Sequence, residues 1–215
     1  METSWNSKKR HKDLKWGIDA KWPILCYLET SDSLTGDERG LVLELSHKLK
    51  KSRDSKLKNT QIIVRPHPFK SHFGNFNELD VFVIPKRGTW PKDEDSIQLY
   101  FDTLYFSFAV FGINTSGLID AVCCDKPIVT LNLEQYGKTQ SQTEHFKQLI
   151  KNDVLEISSR EEFSRILAEL LRGKDRRRKQ RANFIKKFIR PKGLEVASGE
   201  TAALEIEKLA YQNIQ

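Results

Sequence analysis

The chain contains no Gly-x-Gly-x-x-Gly turn, no Walker loop, no nucleophile elbow and no zinc-ligand spacing. Hydride-transfer enzymes of the dinucleotide-binding type, P-loop kinases and serine hydrolases therefore have no local signature here. Cysteine is scarce: three residues, two of them adjacent (Cys123, Cys124), cannot build a disulfide framework. That pair sits in an apolar helical pattern, so buried, reduced thiols are expected. No apolar run approaches the roughly 20 residues that span a bilayer, and residues 1–15 lack the apolar core of a signal peptide. A soluble, cytoplasmic protein is the expectation. Internal repeats and low-complexity segments are absent as well.

What is present is enough apolar residue, 38% of 215, to fill a core, together with an excess of positive charge. Lysine and arginine outnumber the acids 36 to 29, giving +7. The excess is local: Lys8-Lys9-Arg10 with Lys12 and Lys15 at one end, and Arg172 to Lys187 near the other. Such clusters favour an anionic partner, whether a nucleotide, an acidic membrane surface at the inner face, or nucleic acid. A solvated helix face accounts for them equally. No aromatic interleaving or recognition module marks a nucleic-acid surface, so nucleic acid is not expected.

Along the chain, residues 1–21 read as a basic polar arm. Residues 22–172 alternate strand and helix, and 173–215 read as basic C-terminal helices. Trp22–Leu28 is a buried strand, followed by a helix over 37–51 with Leu41, Leu45 and Leu49 on one stripe. Gln61–Arg65 is a β-branched strand stopped by Pro66 and Pro68. A short helix is expected over Phe69–Asn77, a strand at Val81–Ile84 and a helix over Asp93–Phe106. Strand, helix and strand then fill 108–131. Helices follow over Gln140–Ile150 and Ser159–Leu171, with a short strand between them at Val154–Ile157. This alternation predicts an α/β fold: a doubly wound parallel sheet of Rossmann-like type with right-handed crossovers.

In such sheets ligands bind outside the carboxyl ends of the strands, and two motifs fall there. Asn114-Thr115-Ser116-Gly117 opens a helix after a strand. Its small residues permit close approach, and its hydroxyls lie where helix N–H groups and the dipole attract phosphate. An ordinary N-cap is the plain alternative. Asp120 lies one turn on, facing as Ser116 does, where a carboxylate could hold ribose hydroxyls. The other motif, Arg65-Pro66-His67-Pro68, ends a strand and stiffens the backbone around an imidazole that can donate to phosphate. Arg65 is read as turned to the opposite face and paired with an acid, yet stays among the candidates to line the cleft. Glu134, Gln140, Thr143 and His145 complete that candidate lining. His145 also fits an ordinary helix-start histidine.

Taken together, Arg-Pro-His-Pro at 65–68, Asn-Thr-Ser-x-x-x-Asp-Ala at 114–121, Lys-Pro-Ile-Val at 126–129 and Gln-x-x-Thr-x-His-Phe at 140–146 resemble a specific pattern. They are similar to the C-terminal half of GT-B-fold glycosyltransferases, above all those related to CDP-glycerol glycerophosphotransferases and capsule polysaccharide transferases. The resemblance covers about Trp22 to Leu171. It implies a nucleotide-sugar or CDP-polyol donor, with His67, Asn114, Thr115, Ser116 and Gly117 on its phosphate and Asp120 on its ribose. It also implies a metal-independent site without a cofactor, and a partner domain, in cis or trans, that supplies acceptor contacts. A chain of this length has room for one such domain. Two other readings stay open: a sugar-nucleotide epimerase of the same architecture, and a non-enzymatic basic module for nucleic acid or anionic membrane.

Overall fold

The computed structural model describes residues 16–212 except Asn75, Asn77 and Leu79. Most of the basic arm expected over residues 1–21 lies outside the described residues. Six strands form one sheet: β1 (Ile24–Leu28), β2 (Gln61–Arg65), β3 (Val81–Val83), β4 (Ala109–Phe111), β5 (Ile128–Leu131) and β6 (Leu155–Ser158). Every pairing is parallel, and the order is β3-β2-β1-β4-β5-β6. This is the doubly wound order in which the chain reverses direction of travel between β1 and β4, leaving a crevice at their carboxyl ends.

The helices are α1 (Asp32–Thr35), α2 (Arg39–Lys50), α3 (Ser55–Lys58), α4 (Glu94–Tyr105), α5 (Gly117–Cys123), α6 (Gly137–Gln142), α7 (Glu144–Lys151), α8 (Phe163–Leu171), α9 (Arg178–Phe184) and α10 (Ser198–Gln212). Strand period two divides the core between the two faces of the sheet. Leu25, Tyr27, Ala109 and Phe111 join Leu41 and Leu45 of α2 and Phe163 and Leu167 of α8 on one face. Cys26, Leu28 and Val110 join Leu104 of α4, Leu118 and Val122 of α5, and Phe146 of α7 on the other. The strands are therefore apolar on both sides, as buried parallel strands must be. Tyr27 and Phe111 pack at 4.5 Å between ring centroids, and Phe111 meets Phe163 edge-on at 5.4 Å.

Several local expectations need correction. The segment 69–74 is a turn rather than a helix start, because Glu29 captures the backbone N–H of His67 just before it and that of His72 within it. The helix expected over 140–150 breaks at Thr143, whose extended backbone separates α6 from α7. Cys123 is exposed and Cys124 only half-buried, because α5 turns Leu118, Ala121 and Val122 inward instead. The buried thiol is Cys26, pushed up to about 12 by burial.

The arginine run from 172 to 181 is not a loose basic surface. Arg172 pairs with Asp54, Arg176 with Glu169, Arg177 with Asp153 and Arg178 with Asp125. Arg181 is 1% exposed and holds Asp175 at 2.5 Å and Asp125 at 3.0 Å. One turn later Phe184 is buried against the α4–α5 side of the core. Among the described residues no helix is long and apolar enough to cross a membrane.

Candidate functional site

A cavity of about 220 Å³ opens at the β1/β4 crevice. Three strand ends build it: Leu28 and Glu29 at the end of β1, Arg65 to Pro68 at the end of β2, and, beyond β4, Thr115, Ser116, Gly117 and Asp120 at the start of α5. Tyr100 of α4 and the loop residues Thr89, Trp90 and Pro91 close it. A hollow of about 320 Å³ lies elsewhere, beside β6 and α8. Its arginines are already paired with acids, so it offers little net charge to a ligand.

Arg65 and His67 face the same cavity. The expectation that Arg65 points away and pairs with an acid is corrected, and the reason is elementary: residues two apart in extended chain share a face. Arg65 is 8% exposed, and its guanidinium lies 5.1 Å from the Tyr100 ring centroid. Its Nε and Nη1 are buried without a hydrogen-bond partner, and burial pulls its pKa down. The Nδ1 of His67 is likewise buried and unpartnered.

The His67 turn is held from below by Glu29. One carboxylate oxygen accepts the backbone N–H of His67 at 2.7 Å, and the other accepts that of His72 at 3.0 Å. Gly88 closes over the same turn: a Cβ there would overlap the carbonyl oxygen of His67, so only glycine fits. The ring of His72 pairs with Asp32 at 2.5 Å, and Lys70 pairs with the same carboxylate at 2.6 Å. These contacts tie the β2 loop to α1.

Across the cavity, α5 starts at Ser116, which makes no side-chain capping bond. The Gly117 N–H instead reaches Thr115 Oγ1 at a long 3.4 Å. A Cβ on Gly117 would sit 3.0 Å from both Leu28 Cδ1 and the Tyr100 hydroxyl, so this glycine allows α4 and β1 to approach. Tyr100 donates to Asp120 Oδ2 at 2.8 Å. Burial raises the Asp120 pKa, and the bond from Tyr100 only partly offsets it. Arg65 and Asp120 thus lie on one wall with Tyr100 touching both.

Other sequence candidates serve the frame. Asn114 is buried: its amide donates to Thr139 O at 2.9 Å, and its carbonyl accepts from Thr143 Oγ1 at 3.0 Å. Its side chain is therefore committed to bracing α6 and α7, not turned to the cavity. Gln140 is buried too, donating to the carbonyls of Ile113 and Leu131 and to Thr130 Oγ1. Glu134 is exposed, and His145 has its pKa lowered by burial, with Nε2 buried and unpartnered. None of Glu134, Gln140, Thr143 and His145 lines this cavity. Sequence reading passed over Glu29, Tyr100 and Trp90. A buried acid directly after an all-apolar strand was the available signal for Glu29. The Asp93-Glu94-Asp95 triplet has a structural use, since Asp93 caps α4 by accepting from Ser96 N at 2.8 Å.

No protein-family profile matches the sequence, and no curated protein does. Solved structures do. WaaG, a glycosyltransferase involved in lipopolysaccharide biosynthesis, aligns with a TM-score of 0.50 at 14% identity, over 90% of this chain and 51% of WaaG. A protein assigned as a UDP-N-acetylglucosamine 2-epimerase, from Listeria monocytogenes, aligns with a TM-score of 0.43 at 12% identity, over 74% of this chain and 39% of that one. The chain therefore spans about half the length of the first and less of the second. At 14% identity the likeness to WaaG is one of fold, a Rossmann-like α/β unit.

Proposed function

We propose that this chain is the donor-binding half of a GT-B transferase, using a nucleotide-activated sugar or a CDP-polyol in surface polysaccharide or glycoconjugate synthesis. One observation carries the reading. Arg65 is a buried guanidinium with two unpartnered donor nitrogens, facing a cavity at the sheet's switch point. A buried cation left in that state is costly unless an anion completes it. With His67 beside it and the Thr115–Gly117 turn opposite, the anion of best fit is a phosphate. α5 is only seven residues long, so its dipole supports the arginine rather than replacing it.

In the transfer step, the bond from the donor carbon or phosphorus to the leaving phosphate breaks as a bond to the acceptor oxygen forms, and the acceptor's proton would pass to a base that the second domain supplies. Arg65 and His67 would stabilise the charge that grows on the leaving oxygen. The reading needs no metal for that step. Asp120 would take ribose hydroxyls, and a second domain would bring the acceptor. The cavity, smaller than most complete small-molecule sites, suits part of such a donor. The acid pairings along 172–181 weigh against a basic module for nucleic acid or membrane.

The epimerase reading keeps one supporting observation: Asp120, with its raised pKa, is placed to exchange a proton. Incubation of this chain with sugar nucleotides separates the two, since an epimerase yields an epimer, whereas a donor-binding half without its acceptor domain binds the nucleotide and forms no epimer. For the binding site itself, His67→Ala and Ser116→Ala should each weaken nucleotide binding. Neutralising Lys186 and Lys187 should leave it unchanged. The reverse pattern would sink the proposal.

A further inference from the structure

We infer that Trp90 is a stacking platform for the base of the nucleotide, an inference that rests on the donor-site reading above. Trp90 is 53% exposed and Phe69 is 78% exposed, and neither belongs to a core cluster among the described residues. They meet edge-on at 5.3 Å between centroids, and Phe69 lies 6.0 Å from the His67 ring. A single edge-on contact covers at most one of the two indole faces. Large aromatic surface left open at the rim of a cavity marks a ligand-binding place.

The loop that carries the indole is also held in position. Pro91 disfavours a helical backbone at residue 90. Gly88, two residues earlier, lies against the His67 carbonyl. Beyond Pro91, the backbone N–H groups of Lys92 and Asp93 both donate to Ser96 Oγ, at 2.9 and 3.1 Å, which fixes the loop to the start of α4. The loop backbone is therefore pinned on both sides of Trp90, which keeps the residue at the cavity rim.

The chemistry of the rim selects among the parts of a nucleotide donor. In the loop that carries Trp90 the lining residues are Thr89 and Pro91, and Pro68 follows His67; the other hydroxyls of the lining, Tyr100, Thr115 and Ser116, belong to α4 and the start of α5. A hexose or polyol needs several hydrogen-bond partners, whereas a base needs a flat apolar face. Phosphate belongs at Arg65, deeper in the cavity. Because every base has such a face, Trp90 adds affinity without choosing among bases.

The test is calorimetric titration of the full chain with CMP, UMP and AMP, and with ribose 5-phosphate as the base-free probe. Trp90→Leu should weaken all three nucleotides about tenfold, the usual worth of a stacked base, and leave ribose 5-phosphate unchanged. Trp90→Phe should restore most of the loss. The platform is overturned if Trp90→Leu leaves the nucleotides unchanged, or weakens ribose 5-phosphate equally. If Arg65→Met abolishes nucleotide binding while Trp90→Leu does not alter it, the platform alone falls. If the wild-type chain binds none of the probes, the donor site falls with it.

Discussion

Arg65 is the residue on which fold and function pull apart. A guanidinium that is buried, unpaired with any carboxylate and only stacked on Tyr100 is held at a cost to stability. Arg65→Met keeps the packing on Tyr100 and removes that cost. Its urea midpoint should equal or exceed the wild-type value. Nucleotide affinity should fall about 10-fold or more, the worth of one or two charge-assisted hydrogen bonds. Glu29 works through His67. A glutamine there offers one acceptor oxygen where the carboxylate offers two, so one of the N–H groups of His67 and His72 loses its partner. Glu29→Gln should cost about 1–3 kcal/mol by chemical denaturation and weaken nucleotide binding as well. An unchanged midpoint would show that the carboxylate does not hold this turn.

At the scale of elements, much of the arrangement is legible in residue patterns. The apolar runs of β1, β2 and β5, the leucine stripe of α2 and the prolines after Arg65 dictate where strands and helices lie. The period-two rule, applied strictly, also places Arg65 beside His67. What the pattern hides is which polar groups face inward. Asn114 and Gln140 have side chains equally suited to a ligand or to a frame, and only the positions of Thr139, Thr143 and the Ile113 carbonyl decide for the frame. Gln140→Leu should therefore destabilise the protein by about 1–3 kcal/mol through its orphaned partners, while the folded fraction binds nucleotide normally. Reduced affinity without lost stability would return Gln140 to the cleft.

Glu38, just ahead of α2, gives a pH signature. It is fully buried and accepts the Thr30 N–H at 3.0 Å, and burial raises its pKa above the ordinary 4.5. Between those two values the folded state carries a proton that the unfolded chain releases, so stability falls as pH rises through that window. Glu38→Gln keeps an acceptor for Thr30 and has no proton to lose. Compared at pH 4 and pH 7 by urea midpoint, the variant should gain on wild type as pH rises. Parallel behaviour at both pH values would refute the burial of a titrating carboxylate.

For the whole molecule, the parallel sheet, its order and the C-terminal segment act together. Arg181 and Phe184 bring α9 into the core, and Arg181 holds acids on two loops, Asp125 and Asp175. A chain ended at Gly173 should melt well below the full chain, followed by circular dichroism. An unchanged melt would make that segment an appendage. The fold places one cavity where β1 and β4 diverge, and the central claim is that a nucleotide phosphate completes it. Thermal unfolding of wild type and Arg65→Met with CMP, CDP, UDP, GDP and ADP tests this most directly. At least one nucleotide should raise the wild-type midpoint in proportion to the logarithm of its concentration, by about 5–10 °C near one hundred times Kd. That shift should fall to about half or less in Arg65→Met. No shift with any nucleotide, or the same shift in both proteins, would contradict the account.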